Sequence, residues 1–168
     1  MGILDNLRAG QNVLERIANM IPGFKGYREK ELRREADTLQ REHLASQLDS
    51  CKKALNDVAN AATRGGWLDA INDVETARKR LDKVVARIRF ADRGYGGFFD
   101  AVKVDEAVLE RVYQFDLALV EGVEAVRIAA GQAATATDVV SALRALITPI
   151  DALDASLTQR EQILSGIK

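Results

Sequence analysis

At 168 residues, 47% of them hydrophobic, the chain is long enough for one self-sufficient core, and its formal net charge of −1 excludes the one-sided basic field that drives nucleic-acid binding. The single cysteine, Cys51, excludes an intramolecular disulfide, and the N-terminus lacks the basic-then-apolar pattern of a signal peptide, so the expected setting is cytoplasmic and reducing. No uninterrupted apolar run approaches the roughly 20 residues that span a bilayer, and a chain with 5% aromatics, two prolines and abundant Ala, Leu, Glu and Arg favours helix over sheet.

Residues 3–20 predict an amphipathic helix, with Ile3, Leu7, Leu14, Ile17 and Ile21 on one face and Asn6, Arg8, Asn12, Glu15, Arg16 and Asn19 opposite. Ile21-Pro22-Gly23 stops it, because proline disfavours helical geometry in the residue before it and glycine readily ends helices. The next helix is predicted over 27–64, about 55 Å at 1.5 Å per residue. Its Leu44, Leu48, Cys51, Leu55, Val58 and Ala62 alternate steps of four and three, the rhythm of a seam packed on near-parallel neighbours. Its opening turns, dense with Arg28, Glu29, Lys30, Glu31, Arg33, Arg34, Glu35 and Asp37, read as a solvated end that projects beyond the core.

Gly65-Gly66 separates this helix from one predicted over 67–90, with Trp67, Ile71, Val74, Leu81, Val85 and Ile88 inward. An open connection over 91–104 leads to Asp105, a credible N-cap for a helix over 105–130 that puts Leu109, Val112, Leu119, Val123 and Val126 inward. Ala118, Gly122, Ala125 and Ala129 add a strip of small residues that admits a close neighbour. A small-residue loop over 131–136 precedes a helix over 137–165 carrying Val139, Leu143, Leu146, Ile150, Leu153, Leu157 and Leu164, with a bend expected before Pro149.

The fold expected is therefore all-α: an up-down-up-down four-helix bundle over 27–168, with residues 1–21 as an added amphipathic helix, in a single compact domain. Alternation of the loops brings 22–26, 91–104 and the C-terminus to one end. Phe24, Tyr27, Phe90, Tyr95, Phe98 and Phe99 gather there, out of one Trp, three Tyr and five Phe in the whole chain.

Chemical motifs are scarce. A di-iron bundle needs Glu-x-x-His on each of two helices, and this chain has one histidine, His43, with Gln40 three before it. Gly94-Tyr95-Gly96-Gly97 lacks the Lys-Ser/Thr of a phosphate loop and the strand that precedes one. Cys51, inside the helix seam, is expected to be buried and unreactive. Basic residues dominate from Arg78 to Arg93 and acidic ones from Asp100 to Arg127, so these two stretches are expected to neutralise one another across neighbouring helices. Asp116 falls near the inner face of its helix, as a buried polar group with a partner would. No catalytic, cofactor or metal residue is identified.

Two readings of function remain. The first is a non-enzymatic protein that contacts a protein partner or a second copy of itself through the aromatic end and the first helix, by Leu7, Ile17, Phe24, Tyr27, Phe90, Tyr95, Phe98 and Phe99. The second is a peripheral membrane protein that uses the first helix as a reversible anchor. The start Met1-Gly2-Ile3-Leu4, placed before a long charged helix, resembles the phage-shock and ESCRT-III-like membrane-remodelling proteins, and the resemblance implies a helix lying on lipid. It covers only residues 1–21. Asp5 and Glu15 offset Arg8 and Arg16, which removes the attraction to anionic headgroups, and the four-helix pattern departs from that family's open hairpin.

Overall fold

The structure, a computed structural model, describes the backbone of residues 3–91 and 96–166 and the side chains of 12–91 and 97–166. Six helices and no strand occur among the described residues: α1 Ile3–Met20, α2 Lys30–Gly65, α3 Leu68–Arg89, α4 Gly96–Asp100, α5 Glu106–Thr135 and α6 Val139–Ser165.

The helix ends follow local chemistry. α2 stops because Gly66 takes a left-handed φ of 70°, and the N–H of Trp67 turns back to the Ala62 carbonyl at 2.9 Å, closing the last turn. The Asp105 carboxylate accepts from the Ala107 N–H at 2.8 Å, and that of Asp138 from the Ser141 N–H at 3.1 Å, so α5 and α6 both begin on a capping aspartate. α6 runs through Pro149 without a break.

Three boundaries differ from expectation. α2 begins at Lys30 rather than 27, because Tyr27 is drawn inside the protein with its backbone spent on tertiary partners. α5 continues through Gly131 to Thr135, since alanine is the best helix former and the burial of Ala133 offsets one internal glycine. The 91–104 connection holds a short helix, α4, whose Phe98 and Phe99 are buried.

α2 packs on α3 and α5, α6 on α3 and α5, α1 on α5, and the short α4 on α2 and α6. The heptad residues supply the core between them, with Leu44, Leu48, Leu55, Leu81, Val123, Val126, Leu143, Leu146 and Ile150 all nearly inaccessible. Cys51 is buried as expected, and burial raises its thiol above the ordinary value. Trp67 is not inward but 48% exposed: it precedes the helix, and its ring lies over the backbone of Gly65, where a Cβ would come within 2.7 Å of it. Of the small-residue strip, Gly122 does admit α6, since a Cβ there would meet Leu153 at 3.1 Å, while Ala118 and Ala125 face solvent.

The basic stretch of α3 finds its acids on α6 and α2, not on α5. Arg80 pairs with Asp151, Lys83 with Asp154 at 3.0 Å, Arg87 with Asp154 at 2.5 Å and Glu161 at 3.0 Å, and Arg89 with Asp49. On α5, Glu106 pairs with Arg28 and Glu121 with Arg16 of α1.

Candidate functional site

Around the first turns of α2, the polar residues split into two faces. Arg28, Glu29, Lys30, Glu31, Arg34 and Glu35 are exposed, whereas Arg33, Asp37, Gln40 and Arg41 are buried. The second set continues the α2 seam: stepping back from Leu44 by three and four gives Arg41 and Asp37. The end of α2 therefore does not project beyond the core. The helices packed against it carry charges in the same register, Asp116 between Val112 and Leu119 on α5 and Arg160 between Leu157 and Leu164 on α6.

These side chains form one closed network. Arg160 donates through Nε to Asp116 Oδ1 and through Nη2 to Asp37 Oδ1, each at 2.6 Å. Arg41 Nε donates to the other Asp37 oxygen at 2.7 Å, and its Nη1 reaches the Arg89 carbonyl at 2.7 Å, meeting one of the acceptors that the last turn of α3 leaves open. Asp116 Oδ2 takes the hydroxyl proton of Tyr27. Gln40 Oε1 also lies 2.6 Å from that hydroxyl, which has one proton to give. With the carboxylate as its acceptor, reversing the Gln40 amide lets its NH2 donate to the Tyr27 oxygen and leaves the amide oxygen, instead of Nε2, as the buried atom without a partner.

Tyr27 is the centre of both the polar and the aromatic sets. Its ring stacks on Tyr113 with centroids 5.5 Å apart and meets Phe24 and Phe98 edge-on at 5.5 and 5.4 Å, and Phe98 in turn meets Phe99 at 5.2 Å. Its N–H donates to the Tyr113 hydroxyl at 2.9 Å, and its carbonyl accepts from Arg33 Nε at 2.6 Å. Arg33, 1% exposed, also donates to the Phe98 and Ala101 carbonyls, which clips the α4 segment to the α1–α2 connector.

The electrostatics follow from enclosure. Burial, then the negative charge of Asp116, holds the Tyr27 hydroxyl well above its ordinary pKa of 10.0. Burial also lifts the Asp116 carboxyl, with Arg160 and the Tyr27 hydroxyl pulling it back. For Arg160 burial acts against the charge, but Asp116 and Asp37 outweigh it and keep the guanidinium firmly protonated.

The predicted contact residues are distributed as follows. Ile17, Phe24, Tyr27, Phe98 and Phe99 lie inside, and the rings of the last four form one cluster. Phe90 stands outside it, 68% exposed at the end of α3. The Leu7 side chain and Tyr95 lie outside the described residues. Asp116 is buried with a partner, as its position suggested. Sequence reasoning missed Asp37, Arg41 and Arg160, whose signal was their place in the heptad register rather than their chemistry.

Chemically the cluster is saturated from within: both oxygens of Asp37 and of Asp116 are occupied by partners from this chain. Among the described residues no group of three His, Cys, Asp or Glu is placed to hold a metal. A shallow groove of about 360 Å³ between α2 and α5, lined by Ser50, Cys51, Ala54, Ile128 and Gly131, is remote from the network along both helices. No protein-family model, curated protein or solved structure matches the chain.

Proposed function

We propose that this protein is a non-enzymatic, cytoplasmic helical bundle that works by contact with a protein partner or a second copy, at the end where α3 gives way to the α4 segment. In this reading α2, α3, α5 and α6 run up, down, up and down as one domain over 27–168, with α1 added against α5. The observation that carries it is the exposure of two large apolar side chains in the segments that flank the α4 rings, Phe90 at 68% and Val102 at 87%. Both belong to segments held by α2: Arg41 binds the carbonyl of Arg89, next to Phe90, and Arg33 that of Ala101, next to Val102. Those two arginines are eight residues apart on one helix, about 12 Å along its axis, so both segments are fastened to the same end of α2. The inward rings act as a rigid base beneath the contact, not as the contact itself. The saturated charge network supports a structural role over a catalytic one.

Replacing Phe90 and Val102 together with serine tests this. The double variant is expected to lose its co-purifying partner or its self-association in sedimentation velocity, with helical circular dichroism unchanged. Unaltered mass and an unaltered capture profile would rule the surface out. The membrane reading has less support: Val13, Ile17 and Ile21 of the candidate anchor are buried in the protein. Flotation on liposomes with and without residues 1–21 separates the two readings.

A further inference from the structure

We propose that α1 is a detachable strap, seated by Tyr27 acting as a latch on the connector behind it. α1 packs on α5, whereas each of the four long helices packs on at least two others. Its described seat comprises Val13, Ile17 and Ile21, with the half-buried Leu14 beside them, and the ion pair of Arg16 with Glu121, whose side chains are 60% and 50% exposed and which has little holding power in water. The firm attachment comes after the helix. Gly23 and Gly26 take left-handed φ values of 84° and 85°, turning the chain so that the next residue, Tyr27, enters the interior.

There every polar atom of Tyr27 is engaged. The N–H goes to Tyr113, the carbonyl to Arg33 and the hydroxyl to Asp116. The fit behind it is close, since a Cβ on Gly26 would lie 2.5 Å from the Tyr113 hydroxyl. The path of α1 over α5 is thus set from the charged network through one residue. Withdrawal of Tyr27 frees α1 as a unit and bares its apolar face, while the leucine seams of the long helices stay closed. The inference is independent of the contact surface proposed above.

Hydrogen exchange read by mass spectrometry on the full chain tests the latch. Tyr113→Phe keeps the stacked ring but removes the hydroxyl that accepts the Tyr27 N–H. Gly26→Ala drives a methyl into that same hydroxyl from the other side and strains the backbone. In each variant the amides of residues 12–21 are expected to exchange roughly tenfold or more faster, with those of α3 and α6 unchanged. Arg16→Ala, which weakens only the seat, is expected to accelerate them less. Unchanged exchange in α1, equal acceleration in every helix, or a larger effect from Arg16→Ala would each overturn the proposal. Should Gly26→Ala fail to fold, the comparison of Tyr113→Phe with Arg16→Ala still decides it.

Discussion

The two halves of the long helices use one register for opposite chemistry. In the half that holds Leu55, Leu81, Val126 and Leu146, seam positions are aliphatic and pack by shape alone. In the half that holds Tyr27, the same positions carry Asp37, Arg41, Asp116 and Arg160, also buried. The aliphatic half tolerates the loss of a group by partial collapse, whereas the charged half is satisfied only while every member is present. Removing one charge should therefore cost more than removing one large apolar side chain, although a buried ion pair is weak evidence for net stability.

The largest expected effect tests that asymmetry directly. Arg160→Ala leaves Asp116 and Asp37 enclosed without their shared cation and should cost about 4 kcal/mol in urea unfolding. Arg160→Met combined with Asp116→Leu removes the pair as a unit. Asp37 then keeps Arg41 at 2.7 Å but loses Arg160 from its other oxygen, and Tyr27 keeps Gln40 at 2.6 Å, so the double variant should regain much of the loss and cost less than Arg160→Ala alone. A double variant as damaged as the single one would mean that the charges contribute positive stability of their own.

Next comes the aliphatic half. Leu146→Ala, at a side chain 1% exposed, should cost about 3 kcal/mol, less than Arg160→Ala. If it costs more, the contrast between the halves is reversed.

This contrast also marks what the sequence could reveal. Periodicity located the five long stretches that pack but not α4, because alternating three- and four-residue steps survive in any long helix that buries one side. It identified Asp116 because that aspartate stood among valines and leucines. It failed for Asp37 and Arg41, whose neighbours Arg33, Arg34 and Glu35 made the whole segment look solvated when one face of it was not. It failed for Arg160 because a charge at the seam position between Leu157 and Leu164 carries no hydrophobic signal. Phe24, Tyr27, Phe98 and Phe99 come together but Phe90 does not, and sequence could not show that the four rings turn inward, since that depends on Arg33 tying the α4 segment down over them.

A third, smaller effect isolates Tyr27 by pH. Its neutral hydroxyl is favoured in the folded protein, so its contribution to stability is complete below the unfolded value near 10.0 and is lost as pH rises from there toward the folded value. Tyr113, raised by its own burial, adds a second loss of the same sign. Each group contributes a slope of at most about 1.4 kcal/mol per pH unit. Unfolding midpoints measured at pH 9, 10 and 11 should fall steeply for the parent and less steeply for Tyr27→Phe, which keeps only the Tyr113 share. Parallel slopes would show that the hydroxyl is open to water.

The smallest effect belongs to neither half of the interior but to the ladder of charges that joins α3 to α6 outside it. Arg80 and Asp151 are 45% and 53% exposed, and water and salt reduce such a pair to about 0.5 kcal/mol or less. Arg87 is 21% exposed and divides its guanidinium among Asp154, Thr158 and Glu161, so Arg87→Ala should cost about 1 kcal/mol, more than Arg80→Ala. Raising salt from 0.1 M to 1 M shortens the screening length from about 10 Å to about 3 Å and should erase most of the Arg80 effect while sparing part of that of Arg87. Arg160→Ala, inside, should keep its full cost at either concentration, because salt does not reach a network without solvent. Equal salt sensitivity in the three variants would mean that water reaches Asp116, and the distinction between a closed charged core and a solvated charged surface would fail.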